Sequence, residues 1–420
     1  MKTFDQLWVW REPDIAGSLP WYLDVATNRE PAKFRIARTI PVAVSLADSS
    51  EPALWDELDR LTAIFLDRRQ RLRNGDEVPR QATTGPSLLD LTRELTQRML
   101  THCNFCRWNC RVDRSRATKF GACKLASDTR VSTYFHHPGE ELVYRGLYGS
   151  GTIFFTSCNM RCAFCQNGDI STDKDNGVVV DASTLAAMAW LLRMEGCHNV
   201  NWVGGEVTIH LHTIVEAIAL LGAAEGPPSR AELIKALRVK SDHFTDYQPM
   251  VEAANYAGEF NAPMLWNSNF YMTDPAMKVL RVLMDVWLPD FKFGPGRCAI
   301  LLSRTPRYWE TVIGNLAMIH GWGEDFTIRH LVMPNHVECC TYPILEWIAE
   351  NTPEAPVNIM DQYHPDNFCD PHGPKYQARY ADIARRPTTA ELRQAFRHAE
   401  RLGLRFQTLS HEKNARALFM

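Results

Sequence analysis

No stretch of 18 apolar residues occurs in the chain, and its start, Met1-Lys-Thr-Phe-Asp-Gln-Leu-Trp-Val-Trp-Arg-Glu12, lacks the uninterrupted apolar run of a secretion signal. These absences remove the sequence signatures of a membrane span and of export, so the cytoplasm is the expected compartment. Positive charge is not in excess either. The formal net charge of -3 and a pI near 6.5 draw nothing of the chain as a whole towards polyanions, and neither a nucleic-acid nor a membrane partner is expected. Without an export signal, the 12 cysteines read as metal ligands and core thiols, not as a disulfide framework. At 420 residues and 45% hydrophobic content, the chain can bury one large core with attachments, or two domains.

Composition and pattern suggest three segments: an N-terminal helical extension over 1–95, a Cys-rich metal-binding segment over 96–140, and a main unit over 141–420 with an insertion near 222–260. In the first, Leu54, Leu58, Leu61 and Phe65 follow helical spacing, predicting an amphipathic helix near Pro52 to Arg73 that packs on the main unit. Six strands are predicted at 151–156, 199–203, 263–267, 285–291, 326–333 and 356–361, alternating with helical patterns such as Leu185, Met188, Ala189 and Leu192, which Gly196 ends. A closing helix, Thr389 to Leu402, and a last apolar strand, Leu404 to Leu409, complete the pattern. Each of the six strands ends in glycine or polar residues. That is where (β/α) barrels gather their reacting groups, so an α/β fold with a partial, six-stranded (β/α) barrel is expected. The insertion, with Glu225-Gly-Pro-Pro-Ser229 and an extra helix at 230–239, suits either a lid over the barrel mouth or a solvated excursion.

A cysteine is also missing where it matters. Directly after the first strand stand Cys158, Cys162 and Cys165, spaced CxxxCxxC, with no fourth cysteine in the same loop. Zinc favours four ligands in two-plus-two spacing, whereas three thiolates can hold three irons of a 4Fe-4S cube and leave the fourth open to a non-protein ligand. The loop Ser157-Cys-Asn-Met-Arg-Cys-Ala-Phe-Cys-Gln-Asn167 resembles the signature loop of radical S-adenosylmethionine enzymes, and within them the pyruvate formate-lyase activating enzyme-like branch, over roughly residues 100–370. The resemblance implies a 4Fe-4S cluster on these cysteines, with S-adenosylmethionine on the open iron. It implies reductive cleavage of that cofactor to a 5'-deoxyadenosyl radical, which abstracts hydrogen from the substrate. It further implies an electron donor such as flavodoxin or ferredoxin, and a substrate that is a glycyl-radical enzyme, another protein or a small molecule.

Residue by residue, Gly204-Gly205-Glu206 resembles the family motif that binds the methionine amino group, with Val207 where the family usually has proline. Two glycines permit close backbone approach and Glu206 offers a carboxylate to an ammonium, although such a tripeptide is most often just a turn. Asn267, Ser268 and Asn269 resemble contacts to ribose and carboxylate, and serve equally well as helix caps. Asp290-Phe-Lys292 places an acid and a base on one strand face. It resembles the Asp-x-Lys in which Lys meets the cofactor carboxylate and Asp lies near the radical path, making Asp290 and Lys292 the expected catalytic pair beside a plain salt bridge as the alternative. Arg329, His330 and His364 resemble residues around the cofactor, although a lone histidine is more often structural.

A second group, Cys103, Cys106, Cys110 and Cys123, makes a closed set for zinc or an auxiliary Fe-S cluster. Arg107, Arg111, Arg114, Arg116 and Trp108 around it read as a solvated face, and Cys197, Cys298, Cys339, Cys340 and Cys369, without ligand spacing, as packing residues. Two rival readings remain: a non-catalytic Fe-S electron-transfer protein, which leaves the strand-end motifs idle, and an RNA-associated metal-binding protein using the Arg-rich segment.

Overall fold

The structure is a computed structural model that describes residues 8–223 and 254–410. The strands of the barrel and the sheet flanking it are β1 (Thr129–His137), β2 (Ser150–Phe155), β3 (Val178–Val180), β4 (Val200–Gly204), β5 (Met264–Ser268), β6 (Val286–Pro289), β7 (Ile328–Leu331) and β8 (Val357–Met360), and a separate short hairpin pairs Asn255–Tyr256 with Glu259–Phe260. Strands β2, β4, β5 and β6 pair in parallel in that order, and β7 pairs in parallel with β8. Parallel bridges Trp287 to Phe326 and Asp290 to Arg329 join the two sets. The six strands expected from the sequence thus form one partial (β/α)6 barrel. The short hairpin was not expected, nor were two strands beside the barrel: β1 lies antiparallel on the free edge of β2, and β3 lies antiparallel on β1.

The pleat sorts residues between two layers. Trp202, Trp266 and Trp287 stand opposite one another on β4, β5 and β6 and are fully buried in the large core, with Leu211, Ile214 and Met277 among its other members. Leu265, Val286 and Leu288 belong instead to a smaller cluster with Tyr22 and Tyr144. That cluster accounts for the first described residues. Trp21 donates to Asp285 (2.8 Å), the Tyr22 amide donates to Asp325 (2.8 Å), and the Tyr22 hydroxyl lies 2.7 Å from His198. These partners precede strands, so residues 8–26 close the end of the barrel opposite the strand carboxyl ends.

The helix Glu51–Arg73 starts at Ser50, whose hydroxyl accepts from the Ala53 amide. Leu54, Leu58, Leu61 and Phe65 are at most 1% exposed, each burial contributing roughly 1.5–3 kcal/mol. The next helix, Leu88–Thr101, is opened by a Ser87–Asp90 capping box and packs on Leu211–Ala223. The lid and the helix suggested for 230–239 lie outside the described residues. One expectation fails: Leu404–Leu409 is not a strand. Arg405 contributes one backbone bond, accepting from Val357, and Gln407–Ser410 then turns into a short helix, its Thr408 hydroxyl donating to Asp14 (2.5 Å). That contact and the Ser410 hydroxyl, which accepts from the Ile359 amide, replace the expected ladder.

Candidate active site

A cavity of about 450 Å³ opens at the carboxyl ends of the strands. Its wall includes Cys158, Cys162 and Cys165 after β2, Gly204, Gly205 and Glu206 at the end of β4, and Asn267, Ser268 and Asn269 at the end of β5. Asp290 and Lys292 after β6 and Arg329 on β7 complete the set. Side chains scattered over 170 residues of sequence therefore share one space, within the usual range for small-ligand sites of about 300–1,000 Å³.

The cysteine loop leaves β2 through Ser157, held at a φ of +67° with its amide donating to Ile170 (2.8 Å). The Met160 amide donates to the Cys158 sulfur (3.3 Å), and the Ser171 hydroxyl to that of Cys165 (3.2 Å). Burial pushes all three thiols up, Cys162 to about 12. Ionising them without a compensating cation is therefore costly, which suits thiols that pass their charge to a metal.

Gly204 and Gly205 are required by the protein's own backbone. Gly204 has a φ of +135°, and a Cβ there would lie 2.2 Å from the Phe155 nitrogen; one on Gly205 would lie 1.9 Å from the Ser157 carbonyl oxygen. The motif thus seats the end of β4 directly against the root of the cysteine loop. Gly205→Ala should cost at least about 1–3 kcal/mol of stability in urea denaturation. Gly314→Ala, in a helix with open space around it, should be neutral or stabilising by up to about 1 kcal/mol.

Glu206 is buried and already engaged. Its Oε1 accepts from the Thr208 amide (3.0 Å) and the Ser268 hydroxyl (2.8 Å), and its Oε2 from the Asn269 amide (3.0 Å). Because it caps Thr208 itself, the turn forms with Val207 in place of proline. Burial pushes the Glu206 carboxyl up, and these hydrogen bonds oppose the shift. A carboxylate has about four acceptor positions, so Oε2 keeps room for a ligand cation. The Asn269 side chain donates to Asn159 (2.7 Å) and accepts from the Tyr271 amide (3.0 Å), tying β5 to the cysteine loop.

Lys292 donates to Asp290, which also accepts from Arg329 Nε (2.9 Å). Phe291 points away, fully buried beside Trp309 and Trp347. Arg329 also meets Asn267 and lies 3.5 Å from Glu140 and 3.8 Å from Glu141. These two glutamates line the cavity and were missed, since they lie on a loop after β1, a strand the sequence reading did not contain. Burial and then the Glu140 charge push Glu141 well up. Burial acts on Glu140 too, but the neighbouring Glu141 carboxyl, His137 at 3.6 Å and the Arg329 charge hold it low.

Other expected residues fall elsewhere. His330 is buried between the Phe291 carbonyl (2.8 Å) and Thr341 (2.9 Å), and burial pushes it down to about 4. His364 is not in the cavity wall; it pairs with Asp366 at 2.7 Å with 42% of its side chain exposed. Cys103, Cys106 and Cys123 are buried and Cys110 is half-buried. A Cβ on Gly121 would lie 2.8 Å from the Cys110 sulfur. This segment backs the cysteine loop: the Ser157 hydroxyl donates to the Cys123 carbonyl (2.6 Å), Arg161 to Ala122 (2.6 Å) and Trp108 to Asn159 (2.7 Å). Arg114 corrects the solvated-face reading. It is buried, donating to Ala126 (2.8 Å) and Ile209 (2.7 Å) over the Phe105 ring, while Arg111 and Arg116 are exposed. A second correction concerns Cys298, Cys339 and Cys340, which are not scattered packing thiols but gather with His336.

Residues 152–257 match the model of the radical SAM superfamily, so the chain carries a domain of that superfamily, whose members are enzymes using a 4Fe-4S cluster and S-adenosylmethionine. It is 33% identical over 390 residues to uncharacterized protein MJ0674 of Methanocaldococcus jannaschii, covering 91% of this chain and 97% of that protein, and belongs to the same family. Solved structures that it resembles include Streptococcus suis SuiB bound to precursor peptide SuiA, 13% identical, with 60% of this chain and 46% of that one aligned at a TM-score of 0.38. Native anSMEcpe with bound AdoMet and Kp18Cys peptide is likewise 13% identical, over 58% of this chain and 56% of that one, at a TM-score of 0.36. The chain spans about half the length of these structures. Among the described residues, no helix is long and apolar enough to cross a membrane.

Proposed function

We propose that the chain cleaves S-adenosylmethionine reductively in the cavity at the strand ends. Cys158, Cys162 and Cys165 would hold the 4Fe-4S cluster, and Gly204, Gly205, Glu206, Asn267, Ser268, Asn269, Lys292 and Arg329 the cofactor. The observation that carries this reading is the convergence of three cluster-spaced thiols with a buried carboxylate and a lysine on one cavity. When bound, the reduced cluster supplies the electron that splits the sulfonium into methionine and a 5'-deoxyadenosyl radical.

The chain's own groups then have separable tasks. Glu206 receives the ammonium of the methionine moiety, and Lys292, turned into the cavity by Asp290, receives its carboxylate. Asn269 and Ser268 keep Glu206 in place. The buried side chains of the wall limit the access of other hydrogen donors, such as free thiols, that would quench a carbon radical. After anaerobic reconstitution with iron, sulfide and a strong reductant, 5'-deoxyadenosine should accumulate; none above the protein-free control would overturn the proposal. Glu206→Gln should raise the KM for S-adenosylmethionine about tenfold or more, the loss of one charge-assisted contact of about 1.5–3 kcal/mol, with iron content unchanged.

The finer reading is an activating enzyme that takes hydrogen from a glycine of a partner protein, with flavodoxin or ferredoxin as electron donor in the cytoplasm. It is supported by the branch that the Cys158 to Cys165 loop and Asp290-Phe-Lys292 resemble. A glycyl radical detected by paramagnetic resonance in a partner protein bears it out, and a silent partner beside an active enzyme removes it. The set Cys103, Cys106, Cys110 and Cys123 remains our proposal for a second zinc or Fe-S site.

A further inference from the structure

Beyond the cavity, among the described residues, one group of metal-ligating side chains is drawn to single-ion spacing: Cys298, His336, Cys339 and Cys340. The Cys298 sulfur lies 3.5 Å from His336 Nδ1 and 3.6 Å from the Cys339 sulfur. His336 Nδ1 lies 3.3 Å from the Cys339 sulfur, which is 3.9 Å from that of Cys340. A tetrahedral ion with bonds of about 2.3 Å to sulfur and about 2.0–2.1 Å to nitrogen sets its ligands about 3.8 Å apart for two sulfurs and about 3.5 Å for sulfur and nitrogen. The four distances match those edges within a few tenths of an ångström. They are far from a disulfide, which needs about 2.05 Å, and too compact for sulfurs on separate irons of a cube.

The surroundings are those of a built site. Cys298 opens the helix Cys298–Ser303 on the loop after β6, and the other ligands flank or occupy a π-helical turn, Val337–Thr341, after β7. That turn closes on His336, whose carbonyl accepts from the amides of Cys340 (3.0 Å) and Thr341 (3.2 Å). The loops meet tightly, since a Cβ on Gly294 would lie 2.1 Å from the Cys339 carbonyl oxygen. His336 is buried, its Nδ1 towards the thiols and its Nε2 3.5 Å from Asp382, a carboxylate where metal-bound histidines usually have one. Cys339 is exposed, which gives an ion a way in.

We propose that Cys298, His336, Cys339 and Cys340 form a closed, four-ligand zinc site that ties the loop after β6 to the turn after β7. The three thiols give up their protons to solvent as the ion binds, and all four positions are filled by protein, so the site is structural. The loops it joins follow Asp290-Phe-Lys292 and Arg329, so the ion braces two walls of the cavity without touching its contents. The proposal does not depend on the reaction carried out there.

The test is a metal count on the full chain purified anaerobically. Cys339→Ser, at the surface, and Cys298→Ser should each lower zinc by about one equivalent per chain and leave iron unchanged, while the triple Ala variant of Cys158, Cys162 and Cys165 loses iron and keeps that zinc. Circular dichroism checks that the variants fold. Should Cys298→Ser fail to fold, replacing zinc with cobalt in the wild type and in Cys339→Ser decides the matter: tetrahedral thiolate-cobalt absorption should be present in the first and reduced in the second. Equal zinc in wild type and Cys339→Ser, equal cobalt spectra, or a Cys298–Cys339 disulfide in zinc-free protein would overturn the site.

Discussion

Replacing Cys158, Cys162 and Cys165 with Ala should reduce 5'-deoxyadenosine formation to the protein-free background and remove the iron they hold, because no ligand for a cube remains in the loop. The loss should not come from unfolding. The loop is anchored independently of its sulfurs, by the Ser157 amide on Ile170 (2.8 Å), the Arg161 amide on Ser303 (3.0 Å), the Ala163 amide on Leu302 (2.8 Å) and Trp108 on Asn159. Each substitution removes one buried sulfur, a deletion smaller than Leu→Ala, which costs about 2–5 kcal/mol. A melting curve close to that of the metal-free wild type, with cleavage gone, is therefore the expected pair of results. Retained cleavage in the triple variant would falsify the assignment of the cavity.

Strands β2, β4, β5 and β6 were legible because nearly all their residues are buried and read as short apolar runs, and β7 and β8, where buried and half-buried residues alternate, because Ile328, Val357 and Ile359 keep an apolar face; each is ended by residues that a packed helix or strand does not favour. The cysteine loop was legible for a different reason: its three ligands come from eight consecutive residues. Strand β1 was missed although Val131, Tyr134 and His136 are buried in a roughly alternating pattern. Its histidines and threonines diluted the apolar signal, and with it went Glu140 and Glu141, whose place in the cavity follows only from the path of the loop after β1. The group Cys298, His336, Cys339 and Cys340 was illegible in principle. Its first ligand lies 38 residues before the second, and the spacing that matters arises only when β6 and β7 bring two loops together. The expected strand Leu404–Leu409 shows the opposite failure, an apolar stretch whose Leu404, Phe406 and Leu409 are buried without a ladder to join.

Arg329→Ala should be the most destabilising single change in the cavity wall, by about 3–5 kcal/mol at neutral pH, the usual result of leaving a buried charge without its partner. The guanidinium lies against Asp290, Glu140 and Glu141 together, and only Asp290 has Lys292 as a second cation at contact. The loss should depend on pH in a way that simple packing damage does not. In the wild type, burial alone would raise Asp290, but Arg329 and then Lys292 hold it below its ordinary value. Its contribution to stability is therefore present above the unfolded carboxylate range, near 4, and is lost as pH falls through the lower folded value. Without Arg329, burial dominates at Asp290 and Glu140, and their folded pKa rises above the unfolded one, as that of Glu141 already does in the wild type. Their contribution is then intact only in acid and is lost as pH rises through the folded value. The two stability curves should lie furthest apart towards pH 7, draw closer by pH 4, and converge only below it, as pH falls through the lowered folded value. Urea denaturation at both pH values measures this, and Arg329→Lys, a point charge without the guanidinium fork, should recover part of the gap. An equal deficit at both pH values would mean that Arg329 serves there as packing and that its charge does not hold the acidic wall together.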